Sequence, residues 1–173
     1  TLLRILAEEL SGTVILTTST HILPFAGIPM LVTDDIEQVR RALALHRVIC
    51  MGTPAAEGKL TAPALPFSVL ADAADYVIVE ADGSQRLPLK AHASHEPVIP
   101  DCTDRIVIVM GIFAAGQTIA EACHRQELVC HCLDASPTHR LTEADLQKLV
   151  EEGYRKPLAR MFPQAEIILK KSL

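Results

Sequence analysis

Tryptophan is absent from the 173 residues, and aromatics make up only 3% of them, so the core has to be aliphatic. A hydrophobic fraction of 49% and a mean hydropathy of +0.26 suit a sheet covered on both sides. Basic charge is not in excess: the net charge is −5 and the pI near 5.8. A nucleic-acid surface needs a clustered basic face, so that class of partner is excluded. No apolar run approaches the ~18 residues that cross a bilayer, which argues against a membrane. A secretory leader is missing too, because the amphipathic start carries Arg4, Glu8 and Glu9 within it. The five cysteines are an odd number in a chain without an export signal, so reduced thiols and a cytoplasmic location are expected. There is no internal repeat and no low-complexity segment. The length suits one domain, residues 1–173.

What is present is an alternation of short elements. Leu2, Leu3, Ile5, Leu6 and Leu10 form a helical face that stops at Ser11-Gly12. Thr13 to Thr17 is a short β-branched strand, and Ile28 to Val32 is another. Thr33-Asp34-Asp35 caps a helix from Ile36 to about Leu45, and Arg47 to Met51 is the next strand. Thr53 to Pro66 holds three prolines and a glycine and reads as loop, before a short helix from Ser68 to Ala74. Arg105 to Gly111 reads as a buried strand, Thr118 to Cys123 and Thr142 to Glu152 as helices, and Ala165 to Leu169 as the closing strand. Strands alternating with helices predict an α/β fold with a mainly parallel sheet flanked by helices.

The chemistry gathers at Tyr76-Val77-Ile78-Val79-Glu80-Ala81-Asp82-Gly83-Ser84. The apolar run has no polar alternation, so it reads as a strand buried on both faces. Such a strand ends at the carboxyl edge of the sheet, where open α/β proteins hold ligands. Glu80 and Asp82 arrive there as candidate metal ligands or proton acceptors, two acids that are costly to bury without a partner. Thr17-Thr18-Ser19-Thr20-His21 follows another strand and brings hydroxyls and an imidazole to the same edge. Its bland alternative is a loop whose hydroxyls cap a turn. Arg86 and Lys90, followed by His92 and His95-Glu96, place positive charge just after the acids, as an anionic ligand requires. The competing reading is a solvated loop with a weak salt bridge. Cys123-His124 and Cys130-His131-Cys132 have zinc-type donors but not zinc-site spacing, so free thiols and surface histidines are expected. The basic residues near the end, Arg155-Lys156, Arg160 and Lys170-Lys171, read as a solvated face.

Val79-Glu80-Ala81-Asp82-Gly83-Ser84, then Leu87-Pro88-Leu89-Lys90-Ala91 and His95-Glu96-Pro97-Val98-Ile99-Pro100, resembles the signature of the selenium-dependent hydroxylase accessory protein family. Thr17 to His21 resembles that family's Thr-rich strand end, and Met110-Gly111 through Leu128 resembles its next block. The resemblance covers most of the chain. It implies a P-loop NTPase-like, nucleotide-binding fold and a role in maturing molybdenum-dependent hydroxylases. Members begin with a glycine-rich loop, Lys and Thr, to whose end Thr1 corresponds; no G-x-x-x-x-G-K-S/T occurs in these residues. The phosphate-binding loop is therefore missing before Thr1. The chain is either a truncated form or a member that has lost nucleotide binding, and a first helix without its preceding strand favours truncation. Lys170 and Leu173 stand where a guanine-reading motif has Asn and Asp, so guanine specificity does not carry over.

The resemblance implies a nucleoside triphosphate with Mg²⁺ as cofactor and possible NTP hydrolysis. Glu80 and Asp82 then act as catalytic acids and metal ligands, with Thr1 at the metal. Thr17, Thr18, Thr20 and His21 sense a γ-phosphate. Gly83, Ser84, Arg86, Lys90, His124 and Arg125 contact the nucleotide or a pterin cofactor, and a molybdenum hydroxylase is the expected client. A rival expectation is a non-catalytic chaperone of the same fold that binds a cofactor or client. A zinc protein built on Cys123, His124, Cys130 and Cys132 is the third.

Overall fold

A computed structural model describes residues 2–85 and 87–172. It has a mixed α/β architecture with a mainly parallel central sheet and flanking helices, and it divides into two compact units. Unit one comprises Thr1–Gly83 with Val98–Cys102, and unit two comprises Ser84–Pro97 with Thr103–Leu173.

In unit one, helix α1 (Leu2–Glu9) leads into strand β1 (Val14–Thr18), all five residues of which are buried. Strand β2 (Met30–Leu31), helix α2 (Ile36–Leu45) and strand β3 (Val48–Met51) follow. Strands β4 (Thr53–Pro54) and β5 (Leu60–Thr61) form a short antiparallel hairpin within the segment expected to be mostly loop. Helix α3 (Phe67–Ala71) precedes strand β6 (Tyr76–Glu80). The sheet runs β2-β3-β1-β6, with every pair parallel.

Alternation along β1 explains why Val14, Ile15 and Leu16 are all apolar. Ile15 faces Val39 and Leu43 of α2, Leu70 of α3, and Ile49 and Met51 of β3. Val14 and Leu16 face the other way, onto Ala7 of α1. Both faces are covered there, so none of these three positions favours a polar residue. Helix α2 begins where Asp35 predicts, its carboxylate accepting from the Glu37 N–H at 2.9 Å. Helix α1 ends before Gly12, whose φ of +103° suits only glycine and where a Cβ would lie 2.6 Å from Asp75 Oδ2. Asp75 accepts from the Thr13 N–H and Oγ1–H at 2.7 and 2.8 Å, tying the start of β1 to the start of β6.

Unit two pairs strand β7 (Leu89–Lys90) with β9 (Cys123–His124), and strand β8 (Arg105–Gly111) with β10 (Glu166–Ser172), both in parallel. Its helices are α4 (Ile119–Ala122), α5 (Gln126–Leu133), α6 (Glu143–Val150) and α7 (Lys156–Met161). A π-helical turn, Glu151–Arg155, joins the last two. Thr118 and Thr142 each close a capping box, with Glu121 and Asp145.

Two strand expectations need correction. The run Tyr76–Val79 is not buried on both faces: β6 is the outer strand of its sheet, half-buried, with Tyr76 37% exposed. Strand β8 alternates instead of being buried throughout. Ile106, Ile108 and Met110 point into the unit, while Val107 and Val109 are exposed. A two-stranded sheet covered by helices on one side leaves its other side open.

Candidate functional site

The expected site residues fall into two groups, one in each unit; Thr1 and Arg86 lie outside the described residues.

In unit one the parallel register places Thr17 opposite Val79 and Thr18 opposite Glu80, at the carboxyl ends of β1 and β6. Thr17 and Thr18 are fully buried. Thr18 Oγ1 donates to the Glu80 carbonyl at 2.8 Å and accepts from the Thr20 N–H at 2.9 Å. Thr20 Oγ1 lies 3.3 Å from the same hydroxyl. These hydroxyls therefore shape the strand-end loop itself. Ser19 extends that role: its N–H donates to the Glu80 carbonyl and its hydroxyl to the Val98 carbonyl. His21 is exposed.

Thr17 differs, because its buried Oγ1 has no hydrogen-bond partner, and such a group is costly to leave unmatched. Burial, and then the neighbouring Asp82 carboxylate, push the Glu80 carboxyl above its ordinary range. Gly83 follows closely, with Glu80 Oε1 3.8 Å from where its Cβ would be. Two carboxylates that oppose each other's ionisation are hard oxygen donors of the kind that Mg²⁺ takes. Among the described residues no three His, Cys, Asp or Glu side chains converge on one point. A magnesium ion held here would complete its shell from hydroxyl, phosphate or water oxygens, as that ion commonly does.

Sequence reading missed a neighbour of this site. A shallow cavity of about 280 Å³ opens at the carboxyl ends of β2 and β3, lined by Val32, Thr33, Asp34, Gly52, Thr53 and Ala64. Thr33 and Asp34 were legible only as residues leading into α2. Gly52 is required by close approach, since a Cβ there would stand 2.7 Å from the Thr61 carbonyl.

In unit two, Ser84 donates its hydroxyl to the Leu87 carbonyl at 2.8 Å and so closes a turn. Lys90 is not in a solvated loop. It is 3% exposed, and its Nζ donates to Glu96 Oε1 at 2.9 Å. Arg125 Nη2 donates to the same oxygen at 2.8 Å, and the Ala93 N–H donates to Oε2 at 3.2 Å. Burial pushes the Glu96 carboxyl up, but hydrogen bonds from Lys90, Ala93 and Arg125 outweigh it and hold the group at about 2. His124 Nδ1 and Arg125 Nε are buried without a hydrogen-bond partner. Glu96 is the residue whose role sequence reading missed. The only signal was its place among His95, Pro97 and nearby basic residues.

All five cysteines are free thiols. Burial, with Cys130 adding to it, pushes Cys123 up to about 11, and burial also raises Cys50 and Cys132. These three are neutral thiols at ordinary pH. No helix among the described residues is long and apolar enough to cross a membrane.

The fold and these residues define an α/β protein whose parallel strands carry hydroxyls and carboxylates to their carboxyl ends. A family model described as YqeC protein matches residues 1–127, which include both groups. The chain belongs to the YqeC protein family. It is 31% identical over 155 residues to the Uncharacterized protein YqeC of Escherichia coli strain K12, across 84% of this chain and 60% of that protein. The chain thus spans less than two thirds of that relative's length. No solved structure matches it.

Proposed function

We propose that this chain is a nucleotide-dependent accessory protein, P-loop-like in fold, that serves the maturation of selenium-dependent molybdenum hydroxylases in the cytoplasm. The observation that carries this reading is the Glu80–Asp82 pair at the carboxyl end of a parallel strand. Support for the biological role is the resemblance of Val79–Ser84 and the segments after it to that accessory family. In this reading Glu80 and Asp82 hold Mg²⁺, which supplies charge neutralisation for a triphosphate when bound. Asp82 or Glu80 orients the attacking water, and Thr18 and Thr20 keep the strand-end loop, with His21, in place. In unit two Lys90, His124 and Arg125 meet an anionic group of the nucleotide or of a pterin cofactor.

Melting of the chain with and without Mg²⁺ and ATP or GTP tests the reading. The pair together should stabilise it, and Glu80→Gln should weaken that coupling; an unchanged Mg²⁺-dependent shift in the variant removes Glu80 from the site. A second reading, a non-catalytic chaperone for a cofactor or client, is favoured by the high aliphatic content of the chain. Nucleotide stabilisation without turnover would select it.

A further inference from the structure

In unit two the helix-covered side of the β8–β10 pair is sheltered over only half its width. Paired residues of a parallel ladder share a face, so Ile108 with Leu169, and Met110 with Lys171, leave the sheet on the same side. Helix α6 packs over β8, where Ile108 and Met110 are 5% and 3% exposed. On β10, Leu169 shares that face and is still 45% exposed. A cavity of about 390 Å³ opens there, within the size range of small-ligand sites. Met110, Val150 and Leu169 form its apolar floor. Met110 and Lys171 stand one residue before the carboxyl ends of their strands, where open α/β folds hold ligands. One wall is the π-helical turn Glu151–Arg155, a distortion frequent at functional sites.

The rim is polar. Gln147, Glu151 and Arg155, four apart along α6 and the π-helical turn, line the cavity from the helix side, and Lys171 lines it from β10. Arg155 and Lys171, which read in sequence as part of a solvated face, thus meet around one space. Arg155 Nη1 is 3.7 Å from Glu151 Oε2, too far for a hydrogen bond, so its donors stay available. The Lys171 ammonium has no ion-pair or hydrogen-bond partner among the described residues. Arg155 and Lys171 against Glu151 leave the rim one positive charge in excess. That surplus matches a ligand with one negative charge. A cation would meet two like charges, and a doubly charged phosphoryl group would set its second charge against Glu151. The rim charges are open to water, so they choose the sign of the ligand, while burial of its apolar body supplies most of the affinity.

We infer that this cavity binds a small organic monocarboxylate, its apolar body on Met110, Val150 and Leu169 and its carboxylate on Arg155 and Lys171. The site goes beyond the nucleotide reading and does not rest on it: it needs no metal, no triphosphate and no residue of unit one.

The test uses the 173-residue chain with ¹³C-methyl-labelled methionine, titrated with sodium hexanoate at constant ionic strength. The Met110 methyl signal, identified by its loss in the volume-conserving Met110→Leu, should shift saturably, half-way at about 1 mM or below. Hexan-1-ol lacks the charge and sodium acetate lacks the apolar body, so each should bind at least about tenfold more weakly. Lys171 is exposed, so Lys171→Gln keeps the fold; it should weaken hexanoate at least about threefold and leave hexan-1-ol unchanged. No shift of the Met110 signal by about 20 mM hexanoate, equal affinity for hexan-1-ol, or an unchanged hexanoate affinity in Lys171→Gln would each overturn the proposal. Tighter binding of hexylammonium would overturn it too, because Glu151 would then set the sign, and so would tighter binding of hexyl phosphate. Displacement of hexanoate by ATP or GTP would make the cavity part of a nucleotide site and end its separate assignment. Absent Mg²⁺–nucleotide stabilisation with intact hexanoate binding removes the nucleotide reading and leaves this one standing.

Discussion

Replacing Glu96 by Gln tests the ion cluster most directly, because it removes one charge and little volume. In the folded chain the carboxyl sits at about 2, against an ordinary value of 4.5. A depression of that size corresponds to about 3 kcal/mol of stability at neutral pH. The variant also leaves Lys90, 3% exposed, facing a neutral amide. Removing one partner of a buried pair typically costs about 3–5 kcal/mol, and a glutamine oxygen that still accepts keeps the expected loss near 3. For a chain of this size that lowers the melting temperature by about 6–12 °C. The pH dependence follows from the sign of the shift. A carboxyl whose folded pKa is depressed contributes its full stability above 4.5 and loses it as pH falls toward 2. Wild type should therefore exceed Glu96→Gln by a constant margin from about pH 6 upward and converge on it as pH falls from 4.5 to about 2. Calorimetry across that range is the assay. A variant melting within about one degree of wild type near pH 7, or a gap that does not close in acid, would refute the reasoning.

Three further outcomes are expected. Glu80→Gln should melt higher than wild type at neutral pH without added metal. Burial and Asp82 raise the Glu80 carboxyl, so its ionisation opposes folding increasingly as pH rises above the ordinary value of 4.5 and fully above the folded pKa, and the difference should vanish in acid; a lower melting temperature would contradict this. Gly12→Ala should lose about 1–3 kcal/mol in urea denaturation, because φ of +103° strains alanine and its Cβ meets Asp75 Oδ2 at 2.6 Å; an unchanged midpoint would show that this corner relaxes freely. Leu16→Ala should lose about 2–5 kcal/mol by the same measurement, since Leu16 is fully buried against α1; a loss below 1 kcal/mol would mean the face collapses around the cavity.

Features set within a few residues were legible in the sequence. Asp35 starts α2 and Thr142 starts α6 because a side-chain oxygen finds the N–H groups of the next turn wherever the chain is placed. Thr13 to Thr17 reads as strand from β-branching, and the alternation of elements already dictates parallel pairing. The meeting of Thr17 and Thr18 with Glu80 at one edge followed from that topology. Helices α5 and α7 escaped notice, since Arg125 opens the first with a left-handed backbone and the second runs on through a π-helical turn. Strand order lay beyond local pattern altogether. The apolar run of β6 looks central, yet only tertiary structure makes it the outer strand of its unit. The same holds for charge. Glu96 and Arg125 are 29 positions apart, and Lys90, legible as a candidate anion-binding cation, meets Glu96 only when folding buries it. Periodicity and capping act over one or two turns of chain, whereas an ion cluster is defined by which distant segments exclude water together.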